Sequence, residues 1–374
     1  MIIRNGKVFI DGNFFSFDIR LENGLIAELG GNLAGGGDEI DAGGKFIFPG
    51  FIETHIHGGA GGGLEDGEEQ VRKIAADLPR WGITSWMPTP IARDGIEASV
   101  KTVRGIRAAK GAEGAEMLGI HLYTPYRHRT TPNFPVGTPP TKEHTAALMD
   151  GDLSDLKIAM VAPELPGAME WIKWITGIGT IVQIGFTEAE TGQIYQAADN
   201  GATLTDHFYN GFPLMDHHEC GSTVGCLLEN RIYHQMTCDL IHVTKPFIEL
   251  IIRLKGIDHV IAVSDGSKFM GAPDGEYTFH GGIPAIKKDG AVRNRETGKL
   301  LTGCHTYDEN MRTLYNSGFA LEDLGRMFSE NAAKMLGLTD RGKIERGRRA
   351  DLVIMDEALN VDTTFILGKT AFKR

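Results

Sequence analysis

From residue 51 to residue 336 the chain repeats one pattern, a short apolar run bounded by turn residues and then a stretch with helical spacing of its apolar positions. Runs of the first kind cover 51–57, 84–88, 117–123, 157–161, 181–186, 203–209, 232–238 and 259–264. Helical stretches cover 67–80, 95–109, 142–149, 166–176, 188–199 and 244–255, with 306–316 and 321–336 after the last run. Strands alternating with helices build a parallel sheet, and eight such units predict a closed (β/α)8 barrel. An open doubly wound sheet is the competing architecture, but the Gly-x-Gly-x-x-Gly fingerprint does not follow the first strand.

The flanks follow a different period. Residues 1–48 alternate apolar and polar around Asp11-Gly12 and Asn23-Gly24, and 342–374 do the same around Gly368-Lys369. This predicts hairpin strands from both termini that pair into one small β domain, of β-sandwich type, beside a barrel over 49–341. The Gly-rich stretch 272–304 is expected to form a hairpin over the barrel mouth.

Active sites of such barrels lie at the C-terminal ends of the strands, and those ends are rich in polar groups here. The first strand closes on His55-Ile-His57. Residues two apart share a face of a strand, so both imidazoles enter one cavity as a metal clamp. Later ends supply His121 and Tyr123, Glu188 after Phe186, then Asp206, His207 and Asn210, then Asp239 and His242, and finally Ser264-Asp265-Gly266. Asp265 ends the buried run Ile261-Ala-Val-Ser264, where a carboxylate must be paired, metal-bound or catalytic. Three imidazoles and a carboxylate, His55, His57, His207 and Asp265, suit Zn²⁺ or another divalent first-row ion. An ion there polarises a carbonyl and acidifies water while Asp265 takes and returns protons, chemistry that hydrolyses amides or deaminates.

Composition narrows the partners. With a net charge of -11 there is no basic excess to neutralise phosphates, which argues against nucleic-acid and anionic-membrane partners. The N-terminus has no secretory pattern and no run reaches the ~20 apolar residues of a membrane span, so a cytoplasmic protein is expected. Four cysteines in 374 residues form neither a disulfide framework nor a C-x-x-C zinc site.

Several segments carry a resemblance: Phe48-Pro-Gly-Phe-Ile-Glu-Thr-His-Ile-His-Gly58, Leu118-Gly-Ile-His-Leu122, Asp206-His-Phe-Tyr-Asn-Gly-Phe-Pro213, Asp239-Leu-Ile-His-Val243, Val263-Ser-Asp-Gly266, Asp274-Gly-Glu-Tyr277 and Gly347-Arg-Arg-Ala-Asp-Leu-Val-Ile354. Over nearly its full length the chain resembles the amidohydrolase superfamily and, within it, the N-acetylglucosamine-6-phosphate deacetylases. The resemblance implies a metal-bearing (β/α)8 barrel with a β domain from both termini, usually a homodimer. It places substrate contacts at His242, Asn210, Gly211 and His218 and the acid/base at Asp265, while Tyr123 is read from the chemistry of a phenol as an acid or a hydrogen-bond donor to substrate.

The departures are specific. Tyr123 stands where the family has a metal-binding glutamate, Phe186 where it has a metal-binding histidine, and His218 where it has a phosphate-contacting arginine. A phenol is a reluctant ligand at neutral pH, and a phenyl ring is none at all. One divalent ion, Zn²⁺ or Mn²⁺, is therefore expected. The implied function is deacetylation of an N-acetyl amino sugar or its phosphate. The alternatives are isomerase or lyase chemistry on a sugar derivative, with Tyr123 and Glu188 moving protons, or a non-catalytic paralogue.

Overall fold

In the computed structural model, which describes residues 1–35, 37–92, 94–128, 137–279 and 282–374, the two chain ends build one mixed sheet. Its order is Lys369–Lys373, Val361–Ile366, Leu352–Met355, Phe46–Pro49, Ile2–Ile10, Asn13–Glu22 and Leu25–Gly30, with Glu39–Asp41 added in parallel to Ile2–Ile10. Leu352–Met355 runs antiparallel to Phe46–Pro49, so the termini are joined inside the sheet. The alternation gives it two faces. Ile47, Ile354, Val8 and Ile19 close a small core on one side, while Phe48, Val353 and Phe9 join the main core on the other. Asn23 and Gly24 both take positive φ (52° and 79°), which suits the tight turn between Asn13–Glu22 and Leu25–Gly30.

The middle of the chain forms the (β/α)8 barrel. Its strands are Phe51–Ile56, Ile83–Pro88, Glu116–Met117 continued by Ile120–Leu122, Leu156–Val161, Ile181–Ile184, Ala202–Thr205, Tyr233–Thr237 and Val260–Val263. The third strand is split: its first half pairs with the second strand and its second half with the fourth. Closure between the first and eighth strands is made by a parallel bridge from Ile56 to Gly266. Side chains facing outward, among them Trp86, Leu122, Val161, Val182, Ile184 and Ala262, pack in the main core with helices such as Ala168–Gly177 and Lys245–Lys255. Those facing inward at the lower end, Ile52, Met87, Ile158, Leu204 and Ile261, form a separate apolar layer with Ala332 and Ala333 beneath.

Two expectations are refined. The helix over 321–336 is Leu321–Gly325 and Asn331–Met335 with a π turn, Arg326–Glu330, between them. The insertion at 272–304 is a four-stranded antiparallel sheet, Gly275–Thr278, Pro284–Lys288, Ala291–Asn294 and Leu300–Thr302, where a single hairpin was expected. Asp289-Gly290 supplies a second tight turn with φ of 51° and 75°, which doubles the hairpin. Residues 280 and 281 of this insertion lie outside the described residues. The insertion is tied to the barrel by a bridge from Gly303 to Gly266. A Cβ on Gly303 would meet Ser264 O at 2.5 Å and Asp265 O at 2.8 Å, so only glycine permits this approach beside the last strand end. Among the described residues no helix is long and apolar enough to cross a membrane.

Candidate active site

His55 and His57 leave the end of the first barrel strand and aim their Nε2 atoms at each other, 3.1 Å apart. Asp265 Oδ1, at the end of the eighth strand, lies 3.6 Å from the first of these nitrogens and 3.3 Å from the second. The remaining nitrogens are occupied. His55 Nδ1 donates to Gln235 Oε1 at 3.0 Å and His57 Nδ1 donates to the Thr89 carbonyl at 2.7 Å. An acceptor on each Nδ1 puts the proton of a neutral ring there and leaves two Nε2 lone pairs opposed. Such an arrangement calls for a cation between them, either a metal ion or a shared proton. Two imidazoles and a carboxylate are a suitable donor set for a divalent first-row ion.

Electrostatics agree with that cationic site. Burial, followed by the neighbouring His121, His57 and His207, keeps His55 well below the usual histidine value, so it is a neutral ring with a free lone pair. On His57 burial also opposes charge, but the Asp265 carboxylate overcomes it and raises the ring above the ordinary value. Asp265 is itself raised by burial, yet the contact with His57 leaves it below the ordinary carboxylate range. Asp265 takes φ of 48°, the left-handed region, which costs a residue with a Cβ about 1–3 kcal/mol. Gly303 and the bridge to Gly266 hold it there.

Beside this group sits a second one. Tyr123 Oη donates to Asp206 Oδ2 at 2.9 Å and lies 3.1 Å from His207 Nε2, itself 3.5 Å from the same carboxylate oxygen. Burial above all, then the negative Asp206 and Asp265, push Tyr123 well above the usual phenol value, so it remains a neutral donor. Burial also lifts Asp206 to about 6, against the pull of His207 and the Tyr123 hydrogen bond. His207, expected among the metal ligands, thus directs Nε2 at Tyr123 and Asp206, outside the cluster of His55, His57 and Asp265. Phe186 packs its ring against both Tyr123 and His207, with centroids 5.8 and 5.6 Å away, and has φ of 48°.

The expected substrate contacts separate into two sets. His242 Nδ1 donates to Asp239 Oδ2 at 2.5 Å, while Asn210 Nδ2 donates to the His207 carbonyl at 3.1 Å. Gly211 has φ of 77°, and a Cβ there would touch the Phe186 ring at 3.2 Å. These lie on the loops after the sixth and seventh strands. His218, by contrast, is exposed on the 214–220 stretch, its ring tilted by 41° against that of His217 at 3.8 Å between centroids. Glu188 is also exposed, its backbone N–H donating to Glu164 Oε1 at 2.6 Å.

Three buried side chains around the histidines are absent from the expectations. Glu53 accepts from the backbone N–H groups of His55 and Ser264, both at 2.8 Å, and so ties the first strand to the eighth. Burial raises its carboxyl to about 7, opposed by the Ser264 and His55 hydrogen bonds. Gln183 and Gln235 occupy the centre of the barrel, bonded to each other at 2.6 Å. The available signal was one amide within each short strand, Ile-Val-Gln-Ile and Tyr-His-Gln-Met-Thr.

Comparison with known proteins places this geometry. Residues 46–371 match the Amidohydrolase family. N-acetylglucosamine-6-phosphate deacetylase of Lysinibacillus sphaericus is 31% identical over 384 residues, covering 99% of this chain and 97% of that protein. N-acetylgalactosamine-6-phosphate deacetylase of Escherichia coli O157:H7 is 29% identical over 364 residues, covering 94% of each. Among solved structures, N-acetylglucosamine-6-phosphate deacetylase from Pasteurella multocida superposes with a TM-score of 0.89 at 22% identity, covering 99% of this chain and 98% of that one, which shows the shared fold. With the family match running from the terminal sheet through the whole barrel, the chain belongs to the amidohydrolase family and is a hydrolase of carbon–nitrogen bonds.

Proposed function

We propose that the chain is a deacetylase of N-acetylated amino sugars or their 6-phosphates that works with a single divalent ion. The observation that carries this reading is the approach of two Nε2 atoms to 3.1 Å of each other beside the Asp265 carboxylate. His55, His57 and Asp265 would hold the ion. When bound, such an ion supplies Lewis-acid polarisation of the amide carbonyl and a lowered pKa of water. Asp265, at the end of the eighth strand, takes a proton from the attacking water and returns it to the amide nitrogen as the C–N bond breaks. The products are acetate and the free amino sugar, with atoms and charge in balance. Tyr123, kept neutral by burial, donates its one proton to Asp206 and would have to turn from it to donate to substrate. His242 is held above the usual histidine value by Asp239, after overcoming its own burial, and with Asn210 it would orient the sugar.

The relatives support the substrate class, since those at about 30% identity and near-complete coverage are named as deacetylases of N-acetylglucosamine- and N-acetylgalactosamine-6-phosphate. A second reading has one observation in its favour. Tyr123, which stands where the family resemblance implies a metal-binding glutamate, forms with Asp206 and His207 a buried set able to pass a proton, which suits isomerase or lyase chemistry. Incubation with N-acetylglucosamine, N-acetylgalactosamine and their 6-phosphates, with acetate and sugar both quantified, separates these. Acetate release in stoichiometry with free amine supports deacetylation. A changed sugar without acetate supports the second reading, and binding without turnover contradicts both.

A further inference from the structure

Gln183 and Gln235 lie at the centre of the barrel, fully buried, and connect two histidines that do not hydrogen-bond each other. His121 Nε2 lies 2.7 Å from Gln183 Oε1, Gln183 Nε2 donates to Gln235 Oε1 at 2.6 Å, and that same oxygen accepts from His55 Nδ1 at 3.0 Å. Gln235 Nε2 donates to Thr54 Oγ1 at 2.9 Å. An amide has one accepting end and one donating end, so each glutamine dictates the orientation of the other. Turning one alone would set oxygen against oxygen, or nitrogen against nitrogen, at 2.6 Å.

Two settings therefore keep the pair bonded to each other. In the observed one Gln235 meets His55 with its oxygen, the His55 proton stays on Nδ1, and Nε2 is bare toward His57. In the reversed one the Gln235 NH₂ faces Nδ1, and the proton moves to Nε2, the atom that must meet the ion. Thr54 Oγ1 can donate or accept and fits both. Asp206 Oδ1 lies 3.3 Å from His55 Nδ1 but makes no hydrogen bond with it, so it does not replace Gln235. At the far end His121 faces two acceptors, Gln183 Oε1 and the Thr54 carbonyl at 2.9 Å. A neutral ring has one proton for them; the Thr205 carbonyl, 3.4 Å from Gln183 Nε2, is an acceptor that only the observed setting satisfies, so the His121 proton lies on Nε2 and Thr89 Oγ1, 3.4 Å from Nδ1, can donate to the bare nitrogen.

We propose that Gln235, oriented by Gln183, is a positioning residue that holds His55 in the one tautomer able to bind a divalent ion. Its consequence for metal rests on the proposed metal site. The tautomer can be read without any metal.

The experiment compares Gln235→Met, Gln235→Glu and Gln183→Glu in the full chain, with thermal melting to confirm folding. Long-range ¹H–¹⁵N spectra of histidine-labelled, metal-free protein, with His55 assigned through His55→Ala, report the tautomer. Competition titration with Zn²⁺ reports affinity. Gln235→Glu keeps an acceptor on Nδ1, so the tautomer stays and affinity stays within about threefold of wild type or tightens. Gln235→Met removes the acceptor, and His55 becomes a tautomer mixture with Zn²⁺ bound about 10–100-fold more weakly. Gln183→Glu puts a second oxygen against Gln235, turns it over, and gives the Nε2–H tautomer with a comparable loss. Two chemically identical Gln→Glu changes thus act in opposite directions. Should Gln183→Glu fail to fold, the contrast at position 235 decides. A wild-type tautomer and wild-type affinity in Gln235→Met would overturn the proposal. Tautomers that move as expected in a protein that binds no Zn²⁺ would leave the relay standing and remove the metal site instead.

Discussion

The lower and upper halves of the barrel interior come from the same strands, one alternation step apart, and have opposite chemistry. Moving toward the C-terminal ends, Ile52 gives way to Thr54, Met87 to Thr89, Ile181 to Gln183, Leu204 to Asp206 and Tyr233 to Gln235. Below, the contacts are non-directional, and any apolar side chain of suitable volume would serve. Above, each polar group is buried and must be matched by a particular partner, so one change there propagates through the hydrogen-bond network. The lower layer stabilises the barrel. The upper layer lowers that stability by burying polar groups, and in exchange fixes the tautomers and aims of the site histidines.

The sharpest break in this comparison comes from His57→Ala against Ile261→Ala. Removing His57 should lower kcat/KM by about 10³-fold or more, since several kcal/mol of transition-state stabilisation go with the ion. Melting of the metal-free variant should fall only modestly, because the His57 contact with Asp265 is lost while the close approach of two Nε2 atoms is relieved. Ile261→Ala should do the reverse, costing about 2–5 kcal/mol of stability by denaturant unfolding while activity per folded molecule stays near wild type. Loss of activity in both variants, with equal loss of stability, would erase the division between the layers.

A smaller effect tests the rim of the upper layer through pH. Asp239 raises His242 above the ordinary value, although burial opposes it. A raised folded-state pKa means that the proton stabilises the fold, fully below about 6.5 and progressively less as pH rises through the folded value. Wild type should therefore lose stability relative to His242→Gln between pH 6.5 and 9, measured by melting at each pH. Parallel pH profiles for the two proteins would show that the pair contributes nothing.

Much of the fold was legible because period and length agree: apolar runs too short for helices, spaced by helical stretches, admit few architectures besides the barrel. His55, His57 and Asp265 were legible because they end strands, where alternation alone brings them together. The role of His207 was harder to place. It adjoins Asp206, and neighbours in a strand point apart, but the strand ends at Thr205 and the turn lets both side chains enter the cavity beside Tyr123. Gln183 and Gln235 were not legible, since one amide in a short strand looks the same in sequence whether it faces solvent or the barrel centre. The insertion strands were short and carried turn signals at close spacing, which concealed a four-stranded sheet behind one expected hairpin.

The central claim is a single ion between His55, His57 and Asp265, and metal per chain by elemental analysis tests it most directly. After incubation with Zn²⁺ or Mn²⁺ and removal of excess, wild type should retain one ion, and His55→Ala and His57→Ala none. Restoring ligands through the double change Tyr123→Glu with Phe186→His should raise the capacity to two, because neither the neutral phenol nor the phenyl ring serves as a ligand now. Two tightly held ions in wild type, or none, would contradict the account.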